Sequence, residues 1–98
     1  MSIDFEALRP QLEELCRRYK VAELSVFGSV ARGEDHGTSD VDFLYVRGPG
    51  SPLGLEFFGL QEELERLLHR DVDLVPKEGL HWVIRDRVLA DARVLYAA

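Results

Sequence analysis

At 98 residues the chain has room for a single hydrophobic core, and with 46% hydrophobic and 31% charged residues it reads as one globular domain over 1–98 rather than a disordered segment. A net charge of −6 with 12 scattered basic residues argues against a long nucleic-acid surface, and no apolar run approaches the roughly 20 residues that span a bilayer. The lone Cys16 excludes an internal disulfide, and an N-terminus without a basic, apolar signal pattern leads us to expect a cytoplasmic protein.

In chain order, Phe5, Leu8, Leu12, Leu15, Cys16 and Tyr19 recur at helical steps, which predicts an amphipathic helix capped by Ser2 or Asp4. Glu13, Glu14, Arg17 and Arg18 fall mostly on its outer side as a solvated charged face. A strand is expected over about Glu23 to Phe27, followed by the turn Gly28-Ser29. Lacking a Cβ, Gly28 lets the backbone approach a ligand closely. Ser29 to Arg32 can then open a short helix whose free N–H groups attract an anion, with Gly33 as its stop. Arg32 stands beside this turn, either neutralising phosphate charge or paired with Glu34 or Asp35. Residues 34–39 form a polar loop in which His36 either touches a phosphate or ribose or faces solvent.

Asp40 and Asp42 open the second strand, Asp40 to Val46. Alternate strand residues share a face, so both carboxylates aim at one place. Left alone they repel, and one is driven towards protonation. A divalent cation resolves the conflict. Hard oxygen ligands suit Mg²⁺, which shares its coordination with water and substrate phosphates. Phosphates on the turn and metal on the aspartates together point to a nucleoside triphosphate. The rest of this strand is apolar on both faces, as in a central strand.

Residues 47–52 break regular structure with two glycines and two prolines, and Ser51-Pro52 reads as cap and first turn of a helix running to about His69. Phe57, Leu60, Leu64, Leu67 and Leu68 give that helix its core face. A third strand, Asp71 to Val75, carries acidic residues among apolar ones, so Asp71 or Asp73 is a candidate third carboxylate. A last helix from about Leu80 to Asp91 turns Val83, Ile84, Val88 and Leu89 to the core, and Val94-Leu95-Tyr96 closes the sheet. Trp82 is expected as a surface-to-core anchor or interface residue rather than an adenine stacker.

Gly28-Ser29, ten intervening residues and Asp40-Val41-Asp42, with Val72-Asp73-Leu74-Val75 and the 85–96 tail, resemble the signature of the DNA polymerase β-like nucleotidyltransferases. The short chain resembles their minimal branch, the MntA-type antitoxins. This resemblance implies an α/β (α+β) fold with a mixed sheet of about four strands and helices packed mainly on one face. It selects Asp73 over Asp71 as the third carboxylate. Asp40, Asp42 and Asp73 would be catalytic and would hold two Mg²⁺ ions about 3.5–4 Å apart. Gly28, Ser29 and Arg32 would hold the phosphates of ATP, and Asp73 would accept the acceptor's hydroxyl proton.

The resemblance further implies AMP transfer to a tyrosine of an all-helical HEPN-type toxin, brought as a separate protein that docks on the Phe57-Phe58 region or the Trp82 helix. Two other readings remain: a nucleotide-binding regulatory domain without turnover, and a transferase acting on a small hydroxylated metabolite in a pocket formed by homo-oligomerisation.

Overall fold

A computed structural model describes residues 3–34, 40–52 and 54–98. Asp4 caps the first helix, α1 (Phe5–Arg18), by accepting the Ala7 N–H on its Oδ1 at 3.1 Å. The chain then forms β1 (Val21–Phe27), the short α2 (Gly28–Arg32) and β2 (Val41–Arg47). Gly33 ends α2 in the left-handed conformation, φ 74°, where glycine is favoured. The loop expected at 34–39, with His36 and Asp35, lies outside the described residues beyond Glu34.

The next helix begins later than Ser51-Pro52 suggests. A 3₁₀ turn at Gly54–Phe57 precedes α3 (Phe58–Leu68). Ser51 does not act as its cap, because its hydroxyl donates instead to the Tyr19 carbonyl at 2.7 Å. His69 closes α3 at φ 57°, as the leucine spacing predicts. Then follow β3 (Val72–Pro76), a 3₁₀ turn at Lys77–Gly79, α4 (Trp82–Asp91) and β4 (Arg93–Ala97).

The strands form one mixed sheet in the order β3-β2-β1-β4, with β2 and β3 parallel and the other neighbours antiparallel. Its helical layer comes mainly from α1 and α3. Phe5, Leu12, Leu15, Leu60 and Leu64 pack there with Leu24, Val26, Val41, Phe43 and Val72 of the strands. Phe5 meets Phe43 edge to face with ring centroids 6.3 Å apart. Each fully buried leucine or phenylalanine contributes about 1.5–3 kcal/mol relative to exposure. Arg9 Nη1 donates to the Leu95 carbonyl at 3.0 Å, fastening α1 to β4.

The last helix departs from expectation. It has no buried residue; Val83 and Ile84 are exposed, and Val88 and Leu89 are half-buried. It rests on α2 and β1 rather than joining the α1–α3 layer, so its apolar residues have no core to enter. No described helix is long and apolar enough to cross a membrane.

Candidate active site

The register of β2 assembles the site. Asp42 stands opposite Phe27 of β1 on one side and opposite Asp73 of β3 on the other. In-register neighbours share a face, so the two carboxylates lie together on the side of the sheet away from Val41, Phe43 and Val72. The register thus brings Asp73, the choice made by resemblance, level with Asp42. Asp71 precedes β3 and its carbonyl accepts the Val41 N–H at 2.9 Å. Its parity is right, but it falls one step beyond, level with Asp40.

Burial first, then the charges of Asp73 and Asp40, raise the carboxyl of Asp42 above its ordinary range, and a hydrogen bond with Asp73 adds to the effect. Asp42 therefore stands under the charges of the other two aspartates, as the strand pattern predicts.

Gly28 follows directly from β1 with φ 77°. A Cβ placed on it would come 2.7 Å from Asp42 Oδ2. The absence of a side chain is what lets the turn close over the carboxylate. Ser29 is half-buried in the first turn of α2, immediately after this contact. Arg32 points its guanidinium at two carboxylates: Nε donates to Glu34 at 2.9 Å and Nη1 to Asp91 at 2.5 Å. The pairing with Glu34 is one of the two sequence expectations. Asp91, 59 residues away on α4, carried no local signal.

Among the described residues no three Asp, Glu, His or Cys side chains stand close enough to form a preformed cation site. The donor set nevertheless fits a hard cation: a half-buried carboxyl, Asp42, in register with Asp73 and under the charges of Asp73 and Asp40. A cation would remove the repulsion, with water and phosphate oxygens completing its shell.

Sequence reasoning also missed Gln61 and Glu65 of α3. Gln61 Nε2 donates to the Val72 carbonyl at 2.9 Å, and Glu65 Oε2 accepts the Val72 N–H at 3.0 Å. Their spacing of four was visible, but nothing in it says which strand they meet.

Residues 8–95 match the nucleotidyltransferase domain family. Protein adenylyltransferase MntA of Thermococcus cleftensis is 46% identical over 79 residues, covering 81% of this chain and 79% of that one. A candidate protein adenylyltransferase of Methanocaldococcus jannaschii is 43% identical over 75 residues, covering 76% and 86%. Among solved structures, a minimal nucleotidyltransferase superposes with a TM-score of 0.72 at 39% identity, covering 93% and 95% of the two chains. A toxin–antitoxin complex with AMP-PNP contains a chain that matches with a TM-score of 0.72 at 25% identity, covering 92% and 73%. The chain belongs to the nucleotidyltransferase domain family, in its minimal, MntA-type branch. It is accordingly an enzyme of the nucleotidyltransferase class.

Proposed function

We propose that this protein is a cytoplasmic antitoxin that transfers AMP from ATP, with Mg²⁺, to a tyrosine hydroxyl of a separate HEPN-type helical toxin. The observation that carries the chemistry is the alignment of Asp42 with Asp73 beneath the close approach of Gly28. The relatives named as protein adenylyltransferases support a protein as acceptor, and the toxin–antitoxin complex with AMP-PNP supports both the nucleotide and the partner.

Asp40, Asp42 and Asp73 would hold the metal, which when bound would supply charge neutralisation to the phosphates and to the entering and departing oxygens. Backbone N–H groups at Gly28 and Ser29 hold the β- and γ-phosphates. Asp73 takes the proton from the acceptor hydroxyl as its oxygen attacks the α-phosphorus. Pyrophosphate departs in line, and AMP remains as a phosphodiester on the acceptor. Positioning and charge neutralisation carry the rate, so no covalent nucleophile on this chain is needed.

For docking, Phe57 is withdrawn from the surface because it is buried against Tyr45, with ring centroids 4.8 Å apart. Phe58 remains exposed, and Trp82, Val83 and Ile84 present an apolar run at the start of α4. Trp82 is 80% exposed and, among the described residues, stacks on His81 alone, which suits an interface residue and not a core anchor. Because Asp91 of the same helix binds Arg32 of α2, a partner resting on α4 would be held beside the Gly28 turn.

Mass spectrometry after mixing this protein, ATP, Mg²⁺ and the helical protein encoded beside it tests the reading. AMP should appear on a partner tyrosine and be absent with Asp42→Asn. Unmodified partner alongside turnover of a small hydroxylated acceptor would overturn it.

A further inference from the structure

We propose that Gln61 and Glu65 are positioning residues that hold Asp73 in line with Asp42. Among the described residues β3 lies at the edge of the sheet, with β2 as its one neighbouring strand. In a parallel ladder, successive residues turn their N–H and C=O groups alternately to one side and the other. Val41 donates to the Asp71 carbonyl and stands opposite Val72, so Asp71 and Asp73 turn their backbone towards β2 while Val72 turns away from it. The outward N–H and C=O of Val72 would have no strand to meet.

Two side chains one helical turn apart on α3 replace that strand. Glu65 accepts the Val72 N–H at 3.0 Å and Gln61 donates to the Val72 carbonyl at 2.9 Å. With the Val72 side chain also buried in the core, the residue is fixed on three sides. The two peptide groups that flank Val72 are those that lead into Asp71 and Asp73. Fastening them sets where the Asp73 carboxylate stands relative to Asp42. An edge strand held only by one neighbour frays or shifts more readily than a central one. Here the shift would act on the carboxylate that the proposed reaction needs most closely placed. Glu65 and Gln61 touch neither nucleotide nor metal in this scheme; they act through Val72 on Asp73.

This inference rests on the proposed AMP transfer for its kinetic part, so its first readout is independent of activity. In the protein without nucleotide or metal, amide hydrogen exchange at Val72 should accelerate at least tenfold in Glu65→Ala and stay near wild type in Glu65→Gln, whose amide oxygen still accepts. In AMP transfer, Glu65→Ala should lower kcat about tenfold to a hundredfold, the scale expected of a small misplacement, with KM for ATP unchanged and with Glu65→Gln restoring the rate. In an Asp73→Asn background, Glu65→Ala should have no further effect on kcat. A merely edge-covering role would lower stability but leave kcat per folded molecule unchanged, or would add its loss to that of Asp73→Asn; either result overturns the proposal. Should Glu65→Ala fail to fold, Gln61→Ala, which removes only the donor to the Val72 carbonyl, is measured in the same way. Absence of transfer by the wild-type protein would strike at the proposed function, while unchanged Val72 exchange would strike at the clamp alone.

Discussion

Asp42 occupies the space that a side chain on Gly28 would need. A Cβ there would stand 2.7 Å from Asp42 Oδ2, well inside van der Waals contact. The turn that follows β1 and the carboxylate on β2 are thus fitted to each other, although 14 positions separate them in sequence. Whatever binds the carboxylate is met from above by bare backbone.

Gly28→Ala should therefore fail in two ways. The residue sits at φ 77°, where a non-glycine costs roughly 1–2 kcal/mol, and the new methyl must push Asp42 aside. We expect an unfolding free energy lowered by that amount, read as a lower urea midpoint at constant m, together with loss of Mg²⁺-dependent ATP binding in calorimetry. Full binding at reduced stability would remove Asp42 from the site.

The raised carboxyl of Asp42 makes stability depend on pH. Its unfolded counterpart titrates near 3.8, and in the fold it holds its proton to higher pH. Between those two values the native state binds more protons than the unfolded one. Stability consequently falls as pH rises through that window, and the penalty is fully present above the folded value. Without divalent cation, Asp42→Asn should be more stable than wild type at neutral pH, and the difference should vanish below about pH 4, near the unfolded value. Denaturation from pH 3 to 8 measures it; an Asn variant that is less stable throughout would contradict the assignment. Added Mg²⁺ should stabilise wild type and leave Asp42→Asn unmoved.

Asp73 and Asp71 are separable by substitution. Asp73→Asn should abolish most AMP transfer while Mg²⁺-dependent ATP binding persists through Asp40 and Asp42. Asp71→Asn should behave nearly as wild type, since its backbone and not its carboxylate is what β2 uses. Kinetics and calorimetry on the same preparations decide; the reverse ranking would move the role to Asp71.

Arg32 is expected to bind phosphate only by leaving one of its present partners. Its ion pairs with Glu34 and Asp91 lie at the surface, so Arg32→Gln should change stability little. If the guanidinium serves the triphosphate, Arg32→Gln should weaken ATP binding several-fold, and Asp91→Asn, which frees it, should strengthen binding. If both variants bind like wild type, Arg32 is only the tie between α2 and α4.

Much of this was legible because it is local. The Gly-Ser turn, the stop at Gly33 and the leucine face of α3 each follow from a few neighbouring residues, and the structure has them where the pattern puts them. What escaped depends on partners distant in the chain. Ser51 looks like a cap until Tyr19, 32 residues earlier, takes its hydroxyl. Val83 and Ile84 look like core until α4 is seen to rest on α2 and β1. The period of two in a strand cannot distinguish Asp71 from Asp73, because both have the same parity; the register with β2, which sets Asp73 opposite Asp42, depends on a strand about 30 residues away. The same holds for Gln61 and Glu65, whose partner is a backbone.

Cys16 is wholly enclosed on the inner face of α1, and burial pushes its thiol up to about 12. The native protein should be inert to alkylating reagents at neutral pH, because the thiolate is the reactive species. Its labelling rate then becomes a clock for how often the whole core opens. By the same token, a disulfide-linked dimer recovered from solution would be a record of unfolded chains, and any self-association of the folded protein has to be non-covalent.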